Sequence, residues 1–434
     1  MRICIHRGAE EIGGNCVELE QDGARILLDL GLPLDAENAV GAPLPQIPGL
    51  AEGDDPSLLA IILSHPHADH YGLIPAAHSS IPVWLGKDAE ALLKAALSFS
   101  PAGASFPNSH NYQHRKPFKI GPFTITPFLI DHSAFDSYGF LVEAGNRRIF
   151  YSGDLRAHGR KGWTFSDLVA RPPANIDALL LEGTTLSRAS RDAPKTETML
   201  EQEIVDDIAG AKGAVLAWFS GQNIDRFVTF FRAAIRTGRT MVIDPYLANL
   251  LLAVARDTLP DPRDSELRVF LPKAMKSRII REKRFDLVEP FRSRRIYPEE
   301  LGKRPEQLLI AFRPSMRQDI EAIDALRGAM LIYSLWPGYL SRRDDDFRAW
   351  CADHGIDFVI RHCSGHADST TLRRLADALA PRRIVPIHTE AADRFPGTFA
   401  SHVIDAHRNG EWWDMPPRDA GEEPNQLDGR GSDI

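Results

Sequence analysis

The stretch Ser64-His65-Pro66-His67-Ala68-Asp69-His70 limits what this chain can fold into more than any other. It follows directly on residues 58–63, an unbroken apolar run of strand length that reads as a strand buried on both faces. A strand end of that kind delivers its turn into a crevice, and a tight turn lets alternate side chains converge there. Imidazoles and a carboxylate so delivered suit Zn(II), with Mn(II) as the harder alternative. A lone histidine is ordinarily structural. Four ligand-type side chains within residues 65–70 are not.

The rest of the chain supplies the frame. Residues 1–30 read as short strands at 2–6, 16–19 and 25–29, with Gly13-Gly14 and Gly23 at the turns. Residues 31–57, rich in Pro and Gly, read as a long loop. Further strands are expected at 83–85, 118–120, 123–129, 139–143, 148–151 and 178–182, with a helix at 88–99. From about 196 the pattern becomes an alternation. Helices at 198–209, 224–236 and 247–257 are interspersed with strands at 214–219, 241–244, 308–312 and 330–334, the rhythm of a parallel sheet with crossover helices. Strands at 358–361 and 384–387 then end in histidine turns again. These turns flank the block 196–345, so one domain interrupted by another is the economical explanation. Residues 1–195 and 346–413 form the outer unit, 196–345 the insertion, and the acidic 414–434 a disordered tail. A length of 434 residues leaves room for two or three domains.

Charge and cysteine content narrow the setting. A net charge of -8 excludes a generally basic nucleic-acid coat. Residues 273–317, however, hold 13 Lys and Arg against 6 Asp and Glu, a local +7 that leaves -15 elsewhere. That block is either a solvated helical face or a surface for a polyanion. Cys4, Cys16, Cys351 and Cys363 form no Cys-x-x-Cys pair and are too few for a disulfide framework, which points to a reducing, cytoplasmic setting. The longest apolar run is far too short to span a membrane, and the first residues show no secretory pattern.

The turn at 64–70 resembles the His-x-His-x-Asp-His signature of the metallo-β-lactamase superfamily. The rest of that pattern follows in order. Asp29 closes Ile26-Leu27-Leu28, His132 lies in Asp131-His132-Ser133, Asp154 follows Gly153, and His388 follows Pro386-Ile387. The resemblance implies an αββα sandwich with one metal on His65, His67 and His132 and a second on Asp69, His70 and His388. Asp154 would bridge the two, and Asp29 would orient the metal loop. Two Zn(II) ions, or Mn(II), about 3.5–4 Å apart can clamp the attacking and leaving oxygens of a displacement and lower the pKa of a bridging water. Asp69 and Asp29 therefore count with the catalytic set.

Three more strand ends carry Leu179-Leu180-Leu181-Glu182-Gly183-Thr184, Arg361-His362-Cys363-Ser364-Gly365-His366-Ala367-Asp368 and Pro386-Ile387-His388-Thr389-Glu390. They resemble motifs A, B and C of the β-CASP nucleases, most closely the ribonuclease J group. That likeness implies an inserted β-CASP α/β domain and a metal-dependent ribonuclease working through a two-metal-activated hydroxide. It makes His366 the proton donor to the leaving group and Glu182 the carboxylate that fixes the His366 tautomer. Ser364 and Gly365 would bind substrate phosphate. Ser220 and Asn223, at a helix start, would form a second phosphate cradle, although ordinary N-capping explains them equally well.

Departures are Thr389 where the group carries glycine, and no counterpart after Trp413 to the group's C-terminal domain. The implied partner is single-stranded RNA, and exo- against endonucleolytic attack and homo-oligomerisation are left open. A DNA nuclease of this fold is the first alternative, but DNA-repair members carry valine at the position of His388. A small-molecule ester or lactone hydrolase is the second, and it needs neither the insertion nor the basic block. A non-enzymatic scaffold would have lost the ligand residues.

Overall fold

The computed structural model describes residues 1–36, 41–188, 194–263, 265–323, 326–342 and 345–416. Two sheets face each other. In the first, Arg2–Arg7, Cys16–Gln21 and Ala24–Leu28 run antiparallel, and Leu58–Ile62, Val83–Gly86 and Ser109–Tyr112 continue in parallel. In the second, Phe118–Ile120, Phe123–Ile130, Ser137–Ala144 and Arg147–Tyr151 form an antiparallel meander, extended in parallel by Ala178–Glu182 and Ile384–Ile387. Their inner faces close on one core, with Ile5, Val17, Ile26 and Ile62 on one side and Phe123, Phe140, Val142 and Leu180 on the other. Helices Gly162–Ala170 and Ser369–Leu379 cover the outside of the second sheet through Phe165, Leu168, Leu372 and Leu375. Leu73, Ile74 and Leu93 pack on the outside of the first. The result is the expected αββα sandwich.

A third sheet is parallel throughout its seven strands and runs in the spatial order Arg295–Ile296, Arg268–Phe270, Thr240–Ile243, Leu308–Ala311, Val215–Trp218, Met330–Tyr333, Asp357–Ile360. Helices Glu197–Gly210, Ile224–Arg236 and Pro245–Val254 cover one face, and the other buries Phe312, Phe347 and Trp350. Leu92 and Ala96, from helix Lys87–Ala96 of the sandwich, join the first of these cores. The strand Asp357–Ile360 pairs with Met330–Tyr333, so the parallel sheet continues past 345. We therefore propose that the chain returns to the sandwich at 361 rather than 346. The physical reason is local. Four residues, Asp-Phe-Val-Ile, read as a strand, but nothing in them says which sheet they join.

The first residues of the tail expected from 414 belong to the sandwich. Asp414 ends a short strand, Trp412–Asp414, paired with Arg2–Arg7, and Met415 is buried in the sandwich core. Residues 417–434 lie outside the described residues. The strand Ser109–Tyr112 was not expected. Its sequence, Ser-His-Asn-Tyr, is polar because it forms a sheet edge with two of its four residues exposed. Among the described residues, no helix is long and apolar enough to cross a membrane.

Candidate metal centre

The strands that feed the site all release their chain at the same end of the sandwich. Asp29 follows Ala24–Leu28, His65 follows Leu58–Ile62, His132 follows Phe123–Ile130, Asp154 follows Arg147–Tyr151, Glu182 ends its own strand, and His388 follows Ile384–Ile387. Asp29 and His388 take left-handed backbone, φ 60° and 51°, which turns each chain sharply at the strand end.

The side chains meet in overlapping groups. His65, His67 and His132 bring one ring nitrogen each within 4.8 Å of one another. Asp69, His70, Asp154 and His388 form a second set, and Asp154, Glu182, His366 and His388 a third, within the same distance. His132 Nδ1 lies 2.6 Å from the Gly365 carbonyl, which can only accept. That fixes the His132 proton on Nδ1 and leaves Nε2 as a lone pair, 3.2 Å from His67 Nδ1. Burial, together with the neighbouring imidazoles, holds His65 and His132 well below their ordinary pKa and His67 at about 4, so all three rings are neutral at pH 7.

His70 behaves oppositely. Burial works against its charge, but Asp154 and Asp29 outweigh it and raise its pKa. Burial likewise pushes the Asp69 and Asp154 carboxyls up, and the imidazoles of His388 and His70 more than reverse it. His65 Nε2, Asp154 Oδ1 and His388 Nε2 are buried without a hydrogen-bond partner. Buried ring nitrogens and carboxylate oxygens left without a partner are what a cation would satisfy. The residues fit metal binding.

Beside these groups stands His366. Its Nδ1 is 3.0 Å from Glu182 Oε2. Burial opposes protonation of His366, but Glu182 and then Asp154 raise its pKa. Glu182 is itself fixed, accepting from the Leu155 amide at 2.7 Å and from the Thr184 hydroxyl at 2.6 Å.

Residues 25–215 match the beta-lactamase superfamily domain, and residues 358–395 match the Zn-dependent metallo-hydrolase RNA specificity domain. The chain belongs to the metallo-β-lactamase superfamily, in its β-CASP branch. It is 22% identical over 380 residues to a ribonuclease J of Sinorhizobium meliloti, covering 85% of this chain and 64% of that one. It is 23% identical over 416 residues to a ribonuclease J of Mycobacterium tuberculosis, covering 89% and 68%. The chain thus spans less than two thirds of the length of the first of these relatives. A crystal structure of a protein of unknown function from Enterococcus faecalis superposes with a TM-score of 0.74 at 20% identity, over 95% of this chain and 99% of that one, which speaks for the fold.

Around this metallo-β-lactamase site lies a layer of supporting residues that sequence reading passed over. Asp29 Oδ2 accepts from His70 Nδ1, the Ser64 hydroxyl and the Tyr151 hydroxyl, each at 2.7 Å, and is in none of the ligand-type clusters among the described residues. The Thr184 hydroxyl spends its proton on Glu182 and so accepts from His388 Nδ1 at 2.7 Å, leaving His388 Nε2 to face Asp69. Arg156 is the largest omission. It is fully buried and reaches Asp131 at 3.4 Å, Glu197 at 3.4 Å, Asp225 at 2.7 Å and the Ser364 carbonyl at 3.1 Å. One guanidinium thereby ties the His132 turn, two helices under the third sheet and the His366 turn together.

Three of the four phosphate-binding candidates are otherwise engaged, in whole or in part. Ser364 Oγ accepts from the His366 amide at 3.0 Å, and the Gly365 carbonyl holds His132. A Cβ at Gly365 would sit 2.5 Å from Ser133 Oγ, so only glycine lets this turn approach. Asn223 Oδ1 caps helix Ile224–Arg236 by accepting from the Arg226 amide at 3.0 Å, the N-capping alternative, and Ser220 is exposed beside it. The basic block is partly neutralised. Arg278, Arg281, Arg284, Arg292, Arg313 and Arg317 pair with acids close by, whereas Lys273, Lys276 and Lys283 are exposed and pair with no acid among the described residues.

Proposed function

We propose that this chain is a metal-dependent ribonuclease that hydrolyses phosphodiester bonds of single-stranded RNA. The observation that carries the reading is the group His65, His67 and His132 beside the group Asp69, His70, Asp154 and His388, with Asp154 Oδ2 3.7 Å from His65 Nε2 and a carboxylate-held histidine, His366, against them. His65, His67 and His132 would hold one divalent ion, Asp69, His70 and His388 a second, and Asp154 would bridge. Zn(II), or Mn(II), held there would supply Lewis acidity to a phosphoryl oxygen and lower the pKa of a bound water.

The remaining work falls to the chain. Glu182 accepts the Nδ1 proton of His366, so Nε2 is the position that can carry a proton to the leaving oxygen. Asp29 and Thr184 hold the His70 and His388 rings in the tautomers that leave Nε2 facing the cluster. Lys273, Lys276 and Lys283 offer positive charge for the phosphates of a longer chain.

Support from relatives lies in their names, ribonuclease J, and in the match of 358–395 to an RNA specificity domain. The test incubates metal-loaded protein with end-labelled 5′-monophosphorylated RNA, 5′-hydroxyl RNA and matched DNA. Chelator-sensitive shortening of RNA, with DNA spared, is the expected outcome. Equal cleavage of DNA would move the assignment to a general nuclease, and inert nucleic acid with rapid hydrolysis of a lactone or thioester would replace it.

A further inference from the structure

Three of the four residues that follow Asp154 hold the turn that carries His366. The Leu155 amide donates to Glu182 at 2.7 Å, and the Leu155 carbonyl accepts from the Ala367 amide at 2.6 Å. Arg156 and His158 reach one and the same atom, the Ser364 carbonyl oxygen, the guanidinium at 3.1 Å and His158 Nε2 at 2.9 Å. A carbonyl only accepts, so the His158 proton sits on Nε2 and Nδ1 is left a lone pair. Nδ1 is buried without a hydrogen-bond partner. Burial, and then the Arg156 charge, hold the ring below its ordinary pKa, so at pH 7 it is neutral and has this single donor to give.

His158 cannot easily move. The residue is 7% exposed, and its carbonyl accepts from the Glu197 amide at 3.0 Å, at the start of the helix Glu197–Gly210. What it grips is the root of the catalytic turn. Ser364 Oγ accepts from the His366 amide at 3.0 Å, and the Ala367 carbonyl accepts from the Thr185 hydroxyl at 2.6 Å. The peptide unit from Ser364 to Gly365 is a rigid plane, so a carbonyl held by two donors sets the direction in which the chain leaves for His366.

We propose that His158 is a positioning residue for His366: with Arg156 it clamps the Ser364 carbonyl and so aims His366 Nε2 at the leaving oxygen. This rests on the ribonuclease reading, in which His366 gives that oxygen its proton. Proton transfer is sensitive to such placement, since an error of about 1 Å can cost about 10²-fold in rate.

The test compares metal-saturated wild type, His158→Leu, His158→Asn and His158→Gln on a 12-nucleotide single-stranded RNA and on bis(p-nitrophenyl) phosphate. The leaving alkoxide of RNA needs a proton, whereas p-nitrophenolate departs without one. His158→Leu should therefore lower kcat on RNA roughly 10- to 100-fold relative to kcat on the ester, with KM for RNA unchanged. His158→Gln, whose amide places an N–H where Nε2 stood, should recover most of the loss. His158→Asn, one carbon shorter, should not, and it carries the test where leucine unfolds the chain. Added to His366→Ala, either disabling variant should slow RNA cleavage no further. RNA and ester rates that fall in the same proportion would make His158 merely structural and overturn the proposal, as would a wild-type kcat on RNA. Wild type that hydrolyses the ester but leaves the RNA intact overturns the ribonuclease reading, and this proposal with it.

Discussion

Replacing Arg156 by Met keeps volume and removes one charge from the centre of the molecule. Arg156 is fully buried against Asp131, Asp225 and Glu197. Taking one partner from a buried ion pair costs about 3–5 kcal/mol, because the charge left behind has no water to turn to. Here each acid keeps a second partner. Glu197 retains Arg226 at 3.1 Å, Asp225 retains Lys161 at 3.3 Å, and Asp131 retains the Gly159 amide at 2.7 Å. The low end of the range, about 3 kcal/mol, therefore applies at pH 7. With a urea m-value of about 3 kcal/mol/M the unfolding midpoint should fall by about 1 M.

The pH dependence carries a sign. Burial pushes the Glu197 carboxyl up, but Arg226 and Arg156 outweigh it and hold it far below its ordinary value. A carboxyl depressed in the folded state adds stability above its unfolded pKa, and that stability is lost as pH falls through the folded one. Asp131 is already pushed up by burial in spite of Arg156. Without Arg156 both folded pKa values rise. The gap between wild type and variant should thus be flat near neutrality and narrow below about pH 5, where Asp131 and then Glu197 take up protons first in the variant. Urea titrations followed by far-ultraviolet circular dichroism at pH 7.5, 6 and 4.5 measure this. A midpoint shift under about 0.2 M at pH 7.5 would refute the assignment of Arg156 as the central tie.

His366→Ala should leave metal content unchanged and slow RNA cleavage roughly 10²–10⁴-fold, the usual worth of general acid help. Glu182→Gln should act in the same direction, and the double variant should be no slower than His366→Ala alone. Rates that multiply would separate the two residues into different steps. Ser64→Ala, which removes one donor from Asp29, should weaken metal affinity by about 10- to 100-fold in a competition titration with a chromogenic chelator, as expected for an orienting contact. Reversing Lys273, Lys276 and Lys283 to Glu should flatten the log–log salt dependence of single-strand binding by about two, at 0.7 per phosphate contact, while reversing the already paired Arg281 should change it little.

The clustered histidines and aspartates were legible because their identity and spacing are local. Histidine turns follow apolar strands, and a strand can release its turn only at its end, so residue type and position together name the site. The His366–Glu182 contact was legible only through resemblance, since 184 residues separate the partners. Arg156 was not legible at all. Its partners at 131, 197, 225 and 364 share no periodicity, and an arginine among polar turn residues looks like any solvated one until the fold buries it. Asn223 shows the reverse case, a polar residue at a helix start that sequence leaves open to two readings and that the helix uses as its cap. The basic block misleads for a similar reason. A sum along the sequence leaves out acids that the fold brings in from outside the block, as Asp244 meets Arg313 and Glu321 meets Arg317.

The account stands or falls on two ions acting together on RNA. Metal-stripped protein titrated with Zn(II) or Mn(II) while cleavage of a labelled single-stranded RNA is followed tests this directly. The rate should rise to a plateau at two equivalents per chain, and Asp154→Ala should stay inactive at any metal concentration. Full activity at one equivalent, or RNA cleavage that persists in chelator, would contradict it.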